Sequence, residues 1–364
     1  MIKKLINLAE TRFLPDFMVR YGINFFLKQK LKIEKNKFGY DLKSRKNEWV
    51  EEMKNSPIAS FTEIANEQHY EVPPEFFKQS LGPNLKYSCA YWDAKINNLS
   101  DAEERMFEIY IERSDIKNGM SILDLGCGWG SFSLYLAKKF PESKIIAVSN
   151  SNDQGEHINS EIKNYQLNNI HYIKMNMKDF KIDKTFDRIV SIEMFEHMRN
   201  YEILLHKISK LLKTEGKLFL HFFCHDKYVY PYEVKSNSDW MTKYFFYGGM
   251  MPSFDILSFF ENDLKVIKSW KVNGNHYKKT CRSWLENQDK NKNKIMTVFK
   301  KCYDKDALIW FNRWRIFWMS CEELFGYKNG SEWYVGHWCE RFRSRDDALG
   351  KKVPVASEVG IRWI

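Results

Sequence analysis

The sequence predicts an α/β fold in which a doubly wound sheet carries helical caps. Three observations predict it. Between residues 120 and 223, short apolar runs alternate with helical patterns, the spacing of a parallel sheet covered on both faces. The first run, Ser121-Ile122-Leu123-Asp124-Leu125, passes directly into a Gly-rich turn and then a helix, as in sheets that bind ligands at their carboxyl edge. On either side of the alternating stretch the apolar periodicity is helical.

Taken in order, residues 1–55 read as an N-terminal helical segment. Leu5, Ile6, Leu8, Phe13, Phe17, Met18, Ile23, Phe26 and Leu27 recur at about helical spacing among Lys and Arg, and Pro15 marks a second helix start. Such a basic amphipathic segment either caps the main domain or lies on a membrane surface. Residues 56–225 form the core unit. It opens with His69-Tyr70, Pro73-Pro74-Glu75-Phe76-Phe77 and Tyr87-Ser88-Cys89-Ala90-Tyr91-Trp92. Ser100-Asp101-Ala102-Glu103 then fits a capping box heading a long helix. Strands are expected at 121–125, 144–148, 171–175, 186–192 and 217–223, with helices at 131–140, 152–165 and 202–212. Residues 226–342 make a helical substrate cap with the last sheet strands, 264–272 and 333–342, and helices from about 280 to 325. Residues 343–364 show no pattern and read as a tail.

The 364 residues suffice for one large domain with an insertion, and 44% hydrophobic content allows a sizeable core. The formal net charge is +10, but no Lys/Arg block is dense enough to form a nucleic-acid arm. Seven Cys, with no C-x-x-C pair, indicate neither a disulfide framework nor a zinc site; no metal is expected, and a reduced, cytoplasmic compartment is. The N-terminal apolar run is broken by Glu10 and Arg12 before any cleavage-like site, so it is not read as a signal peptide. No apolar stretch approaches the ~20 residues of a membrane span, which leaves peripheral contact as the expected membrane mode. Twelve Trp and nineteen Tyr suit a ring-walled substrate chamber, although most such rings pack cores.

The strongest local signal is Asp124-Leu125-Gly126-Cys127-Gly128-Trp129-Gly130-Ser131. The glycines permit a tight turn and a closely pressed ligand. A dinucleotide fingerprint needs Gly where Ser131 stands and an acid at the end of the second strand, where Ser149-Asn150-Ser151 stands instead. No phosphate-binding Lys follows the loop, so the ligand is one without phosphate. D-x-G-x-G-x-G after a first strand resembles motif I of class I S-adenosylmethionine methyltransferases, with a Rossmann-like sheet.

Several segments together resemble one superfamily: cyclopropane-fatty-acid synthases, mycolic acid cyclopropane synthases and coclaurine N-methyltransferases. They are His69-Tyr70 with Phe76-Phe77, Tyr87 to Trp92, Leu123 to Gly130, Val148 to Ser151 with Gln154, and Asp187 to Met198. The resemblance implies S-adenosylmethionine as cofactor, held by Tyr87, Ser88, Asp124, Gly126, Gly128, Gly130, Ser149, Asn150 and Gln154. Ser191-Ile192-Glu193-Met194-Phe195-Glu196-His197-Met198, Asp239-Trp240-Met241 and Glu323-Leu324-Phe325-Gly326-Tyr327 look like the N-methyltransferase side. There Glu193, Glu196 and His197 are the implied catalytic group. Cyclopropane synthases typically carry Gly at the position of Glu193. Yet Cys89, Glu196, His221 and Tyr277 match their bicarbonate-holding set, which makes bicarbonate a candidate second ligand.

Two acceptors follow. A small amine needs a base, because a protonated nitrogen has no lone pair. Glu193 and His197 fall just after the fourth strand, where a carboxylate attracts an ammonium and an imidazole takes its proton. An unsaturated phospholipid acyl chain instead needs a base for the carbocation and exclusion of water. An acid at 193 favours the amine. Taken alone, His69 and His221 read as hydrogen-bonded core or rim histidines, and Cys89 as a small buried residue.

Overall fold

The computed structural model describes residues 2–39, 41–59, 72–176, 180–236 and 238–342. His69, Tyr70 and the expected tail at 343–364 lie outside them.

Five parallel strands build the sheet from its middle outward: β1 (Ser121–Leu125), β2 (Lys144–Ser149), β3 (Ile170–Lys174), β4 (Phe186–Ile192) and β5 (Leu212–His225). After β5 come two short strands that pair only with each other, β6 (Tyr230–Pro231) and β7 (Met250–Met251). Then β8 (Leu264–Val272) and β9 (Trp333–Phe342) complete a seven-stranded order of β3-β2-β1-β4-β5-β9-β8. The sequence predicts a parallel sheet; the finished sheet is mixed, because β9 runs antiparallel to both β5 and β8. That pairing sets His221 directly opposite His337. β5 also starts earlier than its apolar pattern. Leu212 pairs with Phe186, and the register then slips so that Arg188 meets Lys217.

The helices before the cap are α1 (Ile2–Glu10), α2 (Asp16–Phe38), α3 (Leu42–Lys54), α4 (Pro74–Ser80), α5 (Leu99–Ser114), α6 (Ser131–Lys139), α7 (Asn152–Asn164) and α8 (Tyr201–Ser209). The capping box expected at Ser100 sits elsewhere. Asn98 is the N-cap of α5: its side-chain oxygen accepts from Asp101 N at 3.0 Å, and its Nδ2 donates to Asp101 Oδ2 at 2.8 Å. Two donors are thus satisfied reciprocally two residues earlier. Two apolar cores, one centred on Phe76, Trp284, Trp314 and Val190 and the other on Leu123, Ile189, Leu204 and Leu220, hold the layers together.

Three helices cover the carboxyl edge: α9 (Gly274–Lys290), α10 (Lys292–Tyr303) and α11 (Ala307–Gly326). The N-terminal segment packs on α11 as a cap. Arg313 Nε meets Glu10 Oε1 at 3.0 Å, and Arg20 meets Glu322 at 2.7 Å and Glu323 at 2.6 Å. Arg315, itself buried, donates to both oxygens of Asp16 and both of Asp289. The outward side still exposes Phe13, Phe17 and Tyr21. No described helix is long and apolar enough to cross a membrane.

Arg315 joins α2, α9 and α11 through two paired carboxylates, each half exposed. Arg315→Ala is therefore expected to cost about 2–3 kcal/mol in urea unfolding, and to speed tryptic cleavage within α2. An unchanged unfolding midpoint would show that the apolar contacts alone fix the cap.

Candidate active site

The strand order reverses between β1 and β4, and ligands of open α/β sheets enter at such a point. Here the two carboxyl ends open into a cavity of about 1160 Å³, mouth included. The cap closes it with an apolar wall that includes Tyr232, Met241, Phe246, Phe317, Leu324 and Phe325.

On the β1 side, the amides of Gly126 and Cys127 both donate to Val148 O, at 3.0 and 2.9 Å, lashing the loop to the end of β2. Gly128 has φ +54°, and a Cβ there would meet nothing within 4 Å. Its bare backbone is cavity wall. Asp124 lies under the loop. Its Oδ2 accepts from Ser133 Oγ at 2.5 Å, while Oδ1 is buried with no partner among the described residues. Burial pushes this carboxyl up to about 6. An unpartnered acceptor on the wall, a bare glycine and the absence of any phosphate-directed cation in the loop fit a cofactor with an ammonium group and no phosphate. Tyr87, Ser88, Asp124, Gly126, Gly128 and Gln154 all line the cavity. Three other expected residues stand behind or beside that wall. Ser149 Oγ donates to Gln154 Oε1 at 2.6 Å, and Gly130 packs under Ile158, whose Cγ1 a Cβ would approach to 2.6 Å. Asn150 is not a lining residue.

On the β4 side, Glu193 is the first residue past the strand, with φ +49°. Left-handed backbone is uncommon for a residue with a side chain, and here it is held by contacts. The backbone N–H of Glu193 donates to His221 O at 2.7 Å. Its Oε1 accepts from Cys89 N and His221 Nε2, both at 3.1 Å, and its Oε2 from the Tyr277 hydroxyl at 2.6 Å. Burial drives the pKa of His221 down to about 4, outweighing the raising pull of Glu193, so this contact is a neutral N–H donating to a carboxylate rather than an ion pair. Burial pushes the phenol of Tyr277 well up, keeping it a donor.

A 3₁₀ turn over Phe195–His197 then brings two more expected residues to the wall. Glu196 is almost wholly buried, and neither carboxyl oxygen has a partner among the described residues. Burial first, then the charge of Glu193, pushes its pKa well above the usual carboxylate range. Burial takes His197 down to about 4, against Glu193, so its imidazole is neutral.

Glu193, Glu196, His197 and Tyr277 thus converge on the cavity, while Cys89 and His221 stand one layer back and reach it through Glu193. The backbone amide of Cys89 makes that contact. Its thiol donates to Ala90 O, and burial raises its pKa. Bicarbonate as a second ligand is corrected here. Its expected donors at Cys89, His221 and Tyr277 are all engaged by the carboxylate of Glu193. Sequence reasoning passed over Lys86, which borders the cavity and bonds Tyr110, and Tyr110 and His337, which bond His221; no motif marks any of them. It also left the apolar wall unassigned, since that wall is set by how the cap folds. No group of three His, Cys, Asp or Glu suited to a metal occurs among the described residues.

Residues 59–332 match the family described as mycolic acid cyclopropane synthetase. The chain is 36% identical over 349 residues to (S)-coclaurine N-methyltransferase of Thalictrum flavum subsp. glaucum, covering 92% of this chain and 94% of that protein. It superimposes on a crystal structure of coclaurine N-methyltransferase bound to N-methylheliamine and SAH with a TM-score of 0.90 at 34% identity, covering 93% and 99% of the two chains. The cyclopropane synthase MmaA2 from Mycobacterium tuberculosis shares the fold, with a TM-score of 0.66 at 19% identity, covering 79% and 100%.

The orphaned carboxyl of Glu196 carries a stability consequence. Its folded pKa lies well above the ordinary value of a glutamate. Its contribution to folding is therefore fully present below the unfolded pKa and is lost as pH rises through the folded one. Glu196→Gln should unfold at the same temperature as wild type near pH 4 and at a higher one at pH 8. Thermal melts at the two pH values test this; an equal shift at both would mean that the folded carboxyl titrates as the unfolded one does.

Proposed function

The chain belongs to the mycolic acid cyclopropane synthetase family and is an S-adenosylmethionine-dependent methyltransferase close to coclaurine N-methyltransferases, and we propose that it methylates the nitrogen of a small amine with an aromatic body. The observation that carries this reading is Glu196, a buried carboxyl without partners on a cavity wall of aromatic and aliphatic side chains. Such a group is costly to bury for nothing, and a cationic amine is the partner that relieves it.

Asp124, Gly126, Gly128, Tyr87, Ser88 and Gln154 would hold S-adenosylmethionine, which supplies an electrophilic methyl group on a sulfonium. This chain's own residues prepare the nucleophile. The low-polarity wall that raises Glu196 also disfavours a bare ammonium. An amine cation arriving while Glu196 is ionised gives its proton to a Glu196 oxygen and becomes a neutral amine with a free lone pair, leaving Glu196 as the neutral acid its surroundings favour. His197, neutral at physiological pH, gives the acid a polar neighbour without a competing positive charge. Glu193, fixed by three donors, keeps a negative charge beside the cavity while positive charge passes from sulfur to nitrogen. The apolar cap excludes water and holds the ring body so that the nitrogen meets the methyl carbon at roughly 3–3.5 Å.

Methyl-labelled S-adenosylmethionine, incubated with a panel of cyclic secondary amines and separately with unsaturated phospholipid vesicles, tests the reading. Label is expected in a water-soluble amine. Glu196→Gln should then lower kcat/KM for the amine by about 10²-fold or more, with cofactor affinity within about twofold of wild type. Label in the lipid fraction alone would overturn the amine reading.

A further inference from the structure

Behind the Glu193 carboxylate lies a buried network that none of the methyl-transfer steps above uses. Arg113, half-buried at the end of α5, places Nη1 at 2.7 Å from His337 Nδ1. A guanidinium only donates, so Nδ1 of His337 is the acceptor and its proton sits on Nε2. That Nε2 lies 2.8 Å from His221 Nδ1. His221 Nδ1 must therefore accept, its proton sits on Nε2, and Nε2 lies 3.1 Å from Glu193 Oε1. A second line reaches the same atom. Lys86, fully buried, donates to the Tyr110 hydroxyl at 3.0 Å, which leaves the Tyr110 proton for His221 Nδ1, also at 3.0 Å.

We propose that Arg113 and Lys86, acting through His337 and Tyr110, are positioning residues that lock His221 as the Nε2–H tautomer and so keep a donor on Glu193 Oε1 and its carboxylate oriented. The two lines are directional: Arg113 cannot accept a hydrogen bond, and Lys86, whose pKa burial lowers to about 8, cannot while it is protonated. They are also redundant, because either donor alone keeps Nδ1 of His221 unprotonated. With both removed, the Glu193 carboxylate alone still holds the His221 proton on Nε2, and the Nδ1–H tautomer becomes accessible. Nε2 would then turn a lone pair toward Glu193 Oε1, and two acceptors would face each other at about 3 Å. Relief would come by turning the Glu193 carboxylate away, which moves the negative charge from its place beside the cavity. Burial and the charge of Arg113 hold His337 well below the usual imidazole range, in keeping with a neutral relay. The remaining charged or titratable groups around the pair are Cys89, Glu193 and Tyr277. This inference rests on the role assigned to Glu193 in amine methylation.

The test separates the two. Nitrogen-15 histidine labelling of the full chain reads the tautomer of each imidazole without any substrate. His221 and His337 in wild type are expected to show an unprotonated Nδ1 and a protonated Nε2. Tyr110→Phe and His337→Leu singly should leave His221 unchanged, with kcat/KM for the amine within about threefold. The Tyr110→Phe/His337→Leu double variant should show Nδ1–H His221 beside the Nε2–H form and lower kcat/KM by about fivefold or more, with cofactor affinity unchanged. Tyr110→Phe/His337→Gln should restore both readings, since a glutamine amide both accepts from Arg113 and donates to His221. A protonated Nδ1 on wild-type His221, or a double variant that shows the Nε2–H tautomer alone, would overturn the proposal. Should the double variant fail to fold, the wild-type tautomers still decide. A wild-type chain that methylates no amine but shows the expected tautomers would sink the amine reading and leave the lock standing.

Discussion

One largely enclosed carboxylate organises the site. Glu193 receives hydrogen bonds from the loop ahead of α5, from β5 and from α9. These segments lie far apart in the chain, and a charge taken out of water is tolerated only when its oxygens are satisfied. The same contacts hold a left-handed backbone that costs roughly 1 kcal/mol. That backbone turns the chain sharply out of β4, and the turn is what delivers Glu196 and His197 to the cavity three and four residues later.

Two carboxylates three positions apart end in opposite states. Glu193 faces a full set of donors, whereas Glu196 faces none. Environments that divide otherwise equal acids in this way are how a site assigns one the fixed charge and another the mobile proton. The division is made by the fold: the donors come from the core side of the turn, and the apolar wall comes from the cap.

The strands of the core, the Gly loop and the acid trio after β4 were legible because each rests on local pattern: apolar runs at Ile122–Leu125 and Ile189–Ile192, and glycines at fixed spacing. The helix over 131–140 and the strand over 264–272 were legible for the same reason. What escaped depends on distant partners. His337 faces His221 across 116 residues, through an antiparallel strand whose place in the sheet no local pattern dictates. Lys86 looks like an ordinary surface lysine beside an aromatic motif, and its burial follows from Tyr110 and Ser88 folding around it. The residues matched to a bicarbonate site were found together, yet their occupant was misjudged. Sequence comparison names the donors, and only three-dimensional placement shows that a side chain already fills the space between them.

That substitution of a side chain for a solute changes what the site owes to its surroundings. A diffusible anion occupies its seat according to its concentration and its affinity. A tethered carboxylate is present at an effective concentration of at least about millimolar, whatever the medium holds. A negative charge held in this way does not vary with the supply of dissolved inorganic carbon. The exchange turns on one position, 193, where glycine would relax the backbone and vacate the seat together.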